Sequence, residues 1–256
     1  MDDLQRLRYS RHLLLDEWSE AAQERLLASH ALVIGAGGLG APALMYLASA
    51  GVGRLTVVDH DTVDLTNLQR QIVHGTERVG WPKVASAQAG LAALNPGVQV
   101  TPVAQAADAE LLADLVPQAD VVLDCTDRFD TRQMINRACR QAGKPLVSAS
   151  ALRFDGQISL FDPRDAASPC YACLFPPDAP PEETRCATLG VFAPLVGMMG
   201  VMQAGEALKL LAGITTGHES LAGRLLMVDG RTWRVTSLKV RRDRACTVCG
   251  AAASLA

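Results

Sequence analysis

The chain carries three sets of residues whose types and spacing could do chemistry. The first is Gly35-Ala36-Gly37-Gly38-Leu39-Gly40, placed between the apolar run ALVI and an alanine-rich stretch. Glycine at 35, 37, 38 and 40 lets the backbone approach phosphate oxygens, and the helix expected next presents free N–H groups and its positive dipole end. Asp59 ends the following apolar run, about 20 residues on, where an acid accepts hydrogen bonds from ribose hydroxyls. This pair suits NAD as well as ATP, so by itself it also describes a dehydrogenase. The second set separates the two chemistries. Arg70 and Lys83 stand in the segment after Asp59, in the strings Asn67-Leu68-Gln69-Arg70-Gln71 and Gly80-Trp81-Pro82-Lys83. Hydride transfer needs no cations around the phosphates, whereas nucleotidyl transfer needs positive charge where negative charge accumulates. Asp124 and Asp127, in Asp124-Cys125-Thr126-Asp127, close another apolar run, where a carboxylate could hold a metal bridging phosphate oxygens.

The third set is Cys170-x-x-Cys173 and Cys246-x-x-Cys249, two pairs with knuckle spacing that together complete a tetrahedral shell of four thiolates for Zn²⁺. With every position filled by sulfur, the zinc is expected to be structural. A redox role is disfavoured because neither pair is expected to open a helix after a strand. Cys125 and Cys139 read as small core residues.

These residues need a frame. ALVIGAGGLGAPALMYLASAGVGRLTVVDHD reads as strand, turn, helix, strand, and the pattern continues through VQVTPVA, DAELLADLVPQ, ADVVLDCTD and DTRQMINRACRQAG, closed by Gly143. PLVSASALRF and QISLFDP follow as strands, and GMMGVMQAGEALKLLAG as a helix. The expected fold is a Rossmann-like, doubly wound α/β sheet, mostly parallel, with a C-terminal extension from RLLMVDGR and WRVTSLKVRR. We expect one domain over residues 1–256. It divides into a helical segment at 1–30, a nucleotide-binding core at 31–162, a mobile loop with the first cysteine pair at 163–188, and helix, terminal strands and second pair at 189–256. The 49% hydrophobic content supports a large core. The net charge of −3 speaks against nucleic acid as main ligand. No apolar stretch reads as a signal peptide or membrane span, so the expectation is a cytoplasmic protein without membrane attachment.

Taken in order, RYSRH at residues 8–12, GAGGLG, D-x-D-x-V-x-x-x-N-L-x-R-Q, G-x-P-K, LDCTD and the two cysteine pairs resemble the ThiF/MoeB family, relatives of the ubiquitin-activating enzymes. The resemblance covers nearly the whole chain. It implies ATP-dependent adenylylation of the C-terminal glycine carboxylate of a ubiquitin-like sulfur carrier ending in Gly-Gly. That carrier would be ThiS-like or MoaD-like, serving thiamine or molybdopterin synthesis, with sulfur from a separate donor. Carried over by position, Asp59 becomes the ribose ligand, Asn67, Arg70 and Lys83 surround the triphosphate, and Asp127 becomes the Mg²⁺-associated acid. In LDCTD the family's acid matches Asp127 alone, which leaves Asp124 expected to bond locally. Arg11 becomes an arginine supplied to the other subunit of a homodimer. Cys186 matches a cysteine that some relatives use covalently, with an incidental thiol as the alternative. The carboxylate nucleophile is already ionised at neutral pH, so none of the five histidines needs a proton-transfer role. His12 and His74 are expected to pack or hydrogen-bond. A tRNA-modifying dehydratase within the family and an NAD-dependent dehydrogenase outside it remain the alternatives.

Overall fold

The computed structural model describes residues 1–179, 189–214 and 220–250. Strand β1 (His30–Ile34) is buried along its whole length because helices cover both of its faces. Ala31 and Val33 enter one core, while Leu32 and Ile34 enter the other. Around it, β1, β2 (Arg54–Val58), β3 (Gln99–Val103), β4 (Val121–Asp124) and β5 (Leu146–Leu152) form a parallel sheet. β6 (Asp155–Phe161), β7 (Arg224–Asp229) and β8 (Arg234–Lys239) extend it antiparallel. The strand order is β3-β2-β1-β4-β5-β6-β7-β8. The chain winds outward from β1 to β3 and then returns to β4 on the other side. The carboxyl ends of β1 and β4 therefore flank the switch point, where open α/β sheets bind ligands.

One face is covered by α3 (Glu20–Ala28), α4 (Gly40–Ala50), α5 (Lys83–Leu94) and α9 (Ala193–Ala212), the other by α6 (Ala109–Gln118) and α7 (Phe129–Ala142). α9 has the length and apolarity of a membrane span, with mean hydropathy 1.3. It packs against α4, α3, β5 and β6 and buries Gln203 and Glu206 along with its apolar residues, as a core helix does. Gln203 donates to the carbonyls of Asp124 and Val147, and Glu206 accepts from the Leu221 N–H.

Several expected boundaries move. The helical segment at 1–30 is α1 (Asp3–Arg8), α2 (Ser10–Leu13) and α3, and His30 already belongs to β1. β4 stops at Asp124 because the Asp124 carboxylate accepts from the Thr126 N–H and hydroxyl and turns the chain. α9 begins at Ala193, earlier than the run GMMG suggests, since Pro194 is tolerated in the first helical turn. The expected loop at 163–188 contains α8 (Tyr171–Leu174) within its described part. Cys170 caps α8, so one cysteine pair does open a short helix, although β6 ends well before it at Phe161.

Candidate nucleotide site and cysteine cluster

The glycine turn follows β1 directly, at the switch point. Gly35 has φ +99°, a conformation that a side chain opposes, and a Cβ at Gly40 would overlap the Gly35 carbonyl oxygen. Those two glycines let β1 turn into α4 within a single tight loop. Arg70 and Gln71 lie over it: the Arg70 stem packs against Gly38 and the Gln71 amide against Gly37. His74 fastens the turn from beneath. Its Nε2 meets the Ala36 carbonyl at 3.0 Å and its Nδ1 meets Ser86 Oγ, on α5, at 2.9 Å. Burial holds the His74 imidazole below its ordinary pKa, against the Ala36 hydrogen bond and with help from the Lys83 and Arg78 charges. The hydrogen bonding expected of His74 is observed. His12 likewise packs, its ring centroid 4.5 Å from that of Trp18.

Asp59 stands one residue beyond β2. Its Oδ2 accepts from the Ala36 N–H at 2.7 Å and its Oδ1 from the Asp61 N–H at 2.9 Å. Each oxygen retains acceptor capacity beyond these bonds, which could serve ribose hydroxyls. Lys83 is the first residue of α5 and is 5% exposed; its Nζ lies 2.8 Å from Asp61 Oδ2. Partial burial works to raise the Asp61 carboxyl, but the hydrogen bond and charge of Lys83 outweigh it and leave Asp61 below its usual range. Asn67 ends the neighbouring 3₁₀ turn (Leu65–Asn67) and Arg70 follows it; both are half-buried, and Arg70 donates to the Thr66 carbonyl at 3.2 Å. Asp59, Lys83, Arg70 and the glycine turn are thus gathered at one edge of the sheet.

Asp124 and Asp127 part company. Asp124 is fully buried, accepts from Ser148 Oγ at 2.8 Å, and lies 4.0 Å from the Arg132 Nε. Its local role is as expected. Asp127 is exposed in the turn before α7, with its carboxylate open at the carboxyl edge. Arg132, buried on α7, donates to the Thr126 carbonyl and also bonds Tyr171, so it ties this turn to the short helix that carries the first cysteine pair. Arg11 lies elsewhere. Tyr9, two residues before it, packs on Gly51 at the far end of α4 and accepts from Asn95. With eleven residues α4 spans about 16 Å, so Arg11, exposed on α2, lies toward the opposite edge from the glycine turn.

The four cysteines do come together. Sγ separations are 3.9 Å for Cys170 and Cys173, 3.7 Å for Cys170 and Cys246, and 3.4 Å for Cys173 and Cys249. Tetrahedral thiolates around zinc at about 2.3 Å stand roughly 3.8 Å apart, so the donor set fits that metal. Cys173 Sγ also accepts from the backbone N–H of Cys170 and Asp243, and Cys170 Sγ from the Asn136 amide. The hydrogen bond from Cys170, opposed by burial and joined by those N–H groups, lowers Cys173. Cys125 and Cys139 are buried, and burial pushes both thiols up, as suits core residues. Cys186 lies outside the described residues.

The sequence reading missed Asp61 as the partner of Lys83 and Arg132 as a buried cation. For Asp61 a signal existed: in an extended segment residues i and i+2 share a side, which sets Asp59 and Asp61 together.

The chain resembles Escherichia coli MccB crystallised with ATP, at TM-score 0.82 and 22% identity over 95% of this chain and 73% of that one, a likeness of fold. The Escherichia coli sulfur carrier protein ThiS adenylyltransferase is 48% identical over 250 residues, 98% of this chain and 97% of that relative. The Escherichia coli molybdopterin-synthase adenylyltransferase is 44% identical over 253 residues, 98% of each. The Haloferax volcanii SAMP-activating enzyme E1 is 46% identical over 252 residues, 98% of this chain and 91% of that relative. The model of the ThiF family matches residues 9–248, spanning both the glycine turn and the cysteine cluster, and the chain belongs to that family.

Proposed function

We propose that this protein uses ATP to adenylylate the C-terminal glycine carboxylate of a ubiquitin-like sulfur carrier, ThiS-like or MoaD-like. The observation that carries the reading is the gathering of Lys83, Arg70 and Asp59 against the glycine turn, an arrangement suited to a polyphosphate rather than to a hydride acceptor. The full-length similarity to relatives named for carrier adenylylation supports the choice of nucleophile.

In this reading the N–H groups at the start of α4 and the Arg70 and Lys83 side chains bind the phosphates, with Asn67 beside them. Asp59 orients the ribose. The carrier carboxylate attacks the α-phosphorus, an O–P bond forms, the bond to the β-phosphate oxygen breaks, and pyrophosphate leaves with that electron pair. No proton moves in this step, because the nucleophile is already ionised. Lys83 and Arg70 stabilise the charge that gathers on the departing pyrophosphate. Asp127 is the residue that would hold Mg²⁺, which when bound neutralises phosphate charge. The cysteine cluster would hold a structural zinc that joins the segment at 246–249 to α8.

The active form in this proposal is a cytoplasmic homodimer in which the whole span 1–256 works as one adenylyltransferase domain. Arg11 sits at the wrong edge for its own site, so it serves the partner's. Adenylylation leaves an activated carboxyl, and a separate donor then supplies sulfur, with Cys186 as a candidate thiol in that later exchange. ATP–pyrophosphate exchange measured with ThiS-like and MoaD-like carriers tests the reading directly. Exchange that requires the carrier's terminal glycine is the expected result. NAD binding without ATP binding, or ATP turnover dependent on tRNA instead of a carrier, would overturn it.

A further inference from the structure

Asp61 takes no part in the functional reading so far, yet its carboxylate lies 2.8 Å from the Lys83 Nζ. Lys83 is buried, and it opens α5, where its charge meets the positive end of the helix dipole. A buried ammonium in that position needs a counter-charge. The carboxylate within contact is that of Asp61, at 2.8 Å. The backbone repeats the link: the Lys83 N–H donates to the Asp61 carbonyl at 2.9 Å, Thr62 bridges Pro82, and Val63 exchanges hydrogen bonds with Trp81 and Gly80. Asp61 is in turn held by Asp59, whose other oxygen accepts from Ala36 in the glycine turn. A continuous series of bonds therefore runs from the phosphate loop through Asp59 and Asp61 to the Lys83 amine. The other charged or titratable groups around the amine are Asp64, His74 and, across Asp61, His60 at 3.4 Å from its Oδ1.

We infer that Asp61 is the positioning residue for Lys83, fixing its ammonium relative to the glycine turn so that it meets the phosphates of a bound nucleotide in one orientation. This rests on the nucleotide reading above. The ammonium has three N–H donors, so one stays on Asp61 while the others reach phosphate oxygens. The carboxylate does not touch the reacting atoms. Its contribution is geometric, and a displacement of about 1 Å at such a group costs up to roughly 100-fold in rate.

Asp61→Asn, Asp61→Glu and Asp61→Ala in the full chain test this with three readouts. These are carrier-dependent pyrophosphate exchange, ATP affinity by calorimetry, and the rate at which an amine-acylating reagent modifies Lys83, followed by peptide mass spectrometry. Asp61→Asn is expected to lower kcat about 10- to 100-fold while ATP affinity changes less than about threefold, and to raise Lys83 modification several-fold. Asp61→Glu keeps the charge and should restore protection of Lys83 and part of kcat; Asp61→Ala should resemble Asp61→Asn. Unchanged Lys83 modification in Asp61→Asn overturns the inference. So does a wild-type kcat, or a loss of exchange that tracks a fall in Tm across the series with no return in Asp61→Glu. If the wild-type protein supports exchange with no carrier, the proposed function fails, while the modification and ATP-affinity arms still decide the role of Asp61.

Discussion

The glycine turn and the cysteine cluster are both assemblies of residues distant in sequence, but they are finished to different degrees. At the cluster four sulfurs face one another at 3.4–3.9 Å and are supported by N–H donors from their own loops. Nothing more is needed to fill a tetrahedral shell. At the glycine turn the groups are paired only in part: Lys83 has Asp61, Asp59 has two N–H donors, and Asp127 is open to solvent. A site that must admit a ligand, let it react and release it keeps unspent donors and acceptors, whereas a site that serves stability closes on itself. The first should therefore respond to substitution in rate, the second in melting temperature.

The largest effect is expected at the open site. Lys83→Ala and Arg70→Ala should each lower carrier-dependent pyrophosphate exchange by about 10²–10³-fold, the size associated with losing one donor to developing charge. Metal content should stay at wild-type level. A loss below tenfold in both variants would mean that the cations over the glycine turn are bystanders. Next in size is complementation between subunits. Mixing Arg11→Ala and Lys83→Ala chains at equal amounts makes half the dimers mixed, and one of the two sites in each is then intact, so about a quarter of wild-type exchange should return. Confirmed subunit exchange with no recovery would return Arg11 to the surface.

The cysteine cluster should behave in the opposite sense. Cys246→Ser removes one of four ligands; metal analysis should fall from about one zinc per chain, and stability by on the order of 3 kcal/mol, roughly 6–12 °C in Tm. Exchange measured well below the new Tm should change less than tenfold. Arg132 makes this a sharp comparison, because it links Thr126 to Tyr171 beside Cys170 and is the route by which damage at one end would reach the other. A collapse of exchange in the folded Cys246→Ser protein would show that the two regions are one unit.

The same difference explains what could be read from the sequence. The glycine turn, β1 and the cysteine pairs were legible because each rests on a local rule: glycine where the backbone must turn sharply, apolar runs where both faces are covered, thiols at knuckle spacing. Asp124 was separable from Asp127 because only Asp127 matches the family's acid, and the bond from the Thr126 N–H gives Asp124 the local role left to it. Arg132 was not legible. Its partners come from β4 and from α8, brought together only by the packing of α7, and an arginine on an amphipathic helix reads as solvated until that packing is known. The end of β4 and the start of α9 moved for a similar reason, since a side-chain bond stops the first and a proline tolerated in the first turn starts the second.

The smallest effect concerns His74, which belongs to the open site yet does a closed site's work. The Ala36 carbonyl accepts from Nε2, so the neutral ring presents an unprotonated Nδ1 to the Ser86 hydroxyl. Burial keeps the folded-state pKa below the unfolded value near 6.5. The sign follows: the contribution of neutral His74 is complete above about pH 6.5 and is lost as pH falls through the lower folded-state value, because the unfolded chain binds the proton first. Gln at this position can donate to Ala36 and accept from Ser86 without titrating. The Tm advantage of wild type over His74→Gln should therefore shrink by a few degrees at most between pH 7.5 and pH 5. Acid also acts on the four cysteines, but both proteins share them, so that loss cancels in the difference. A Tm gap that stays constant over this range would mean that His74 titrates as it does in the unfolded chain, and the glycine turn would then be held by the backbone alone.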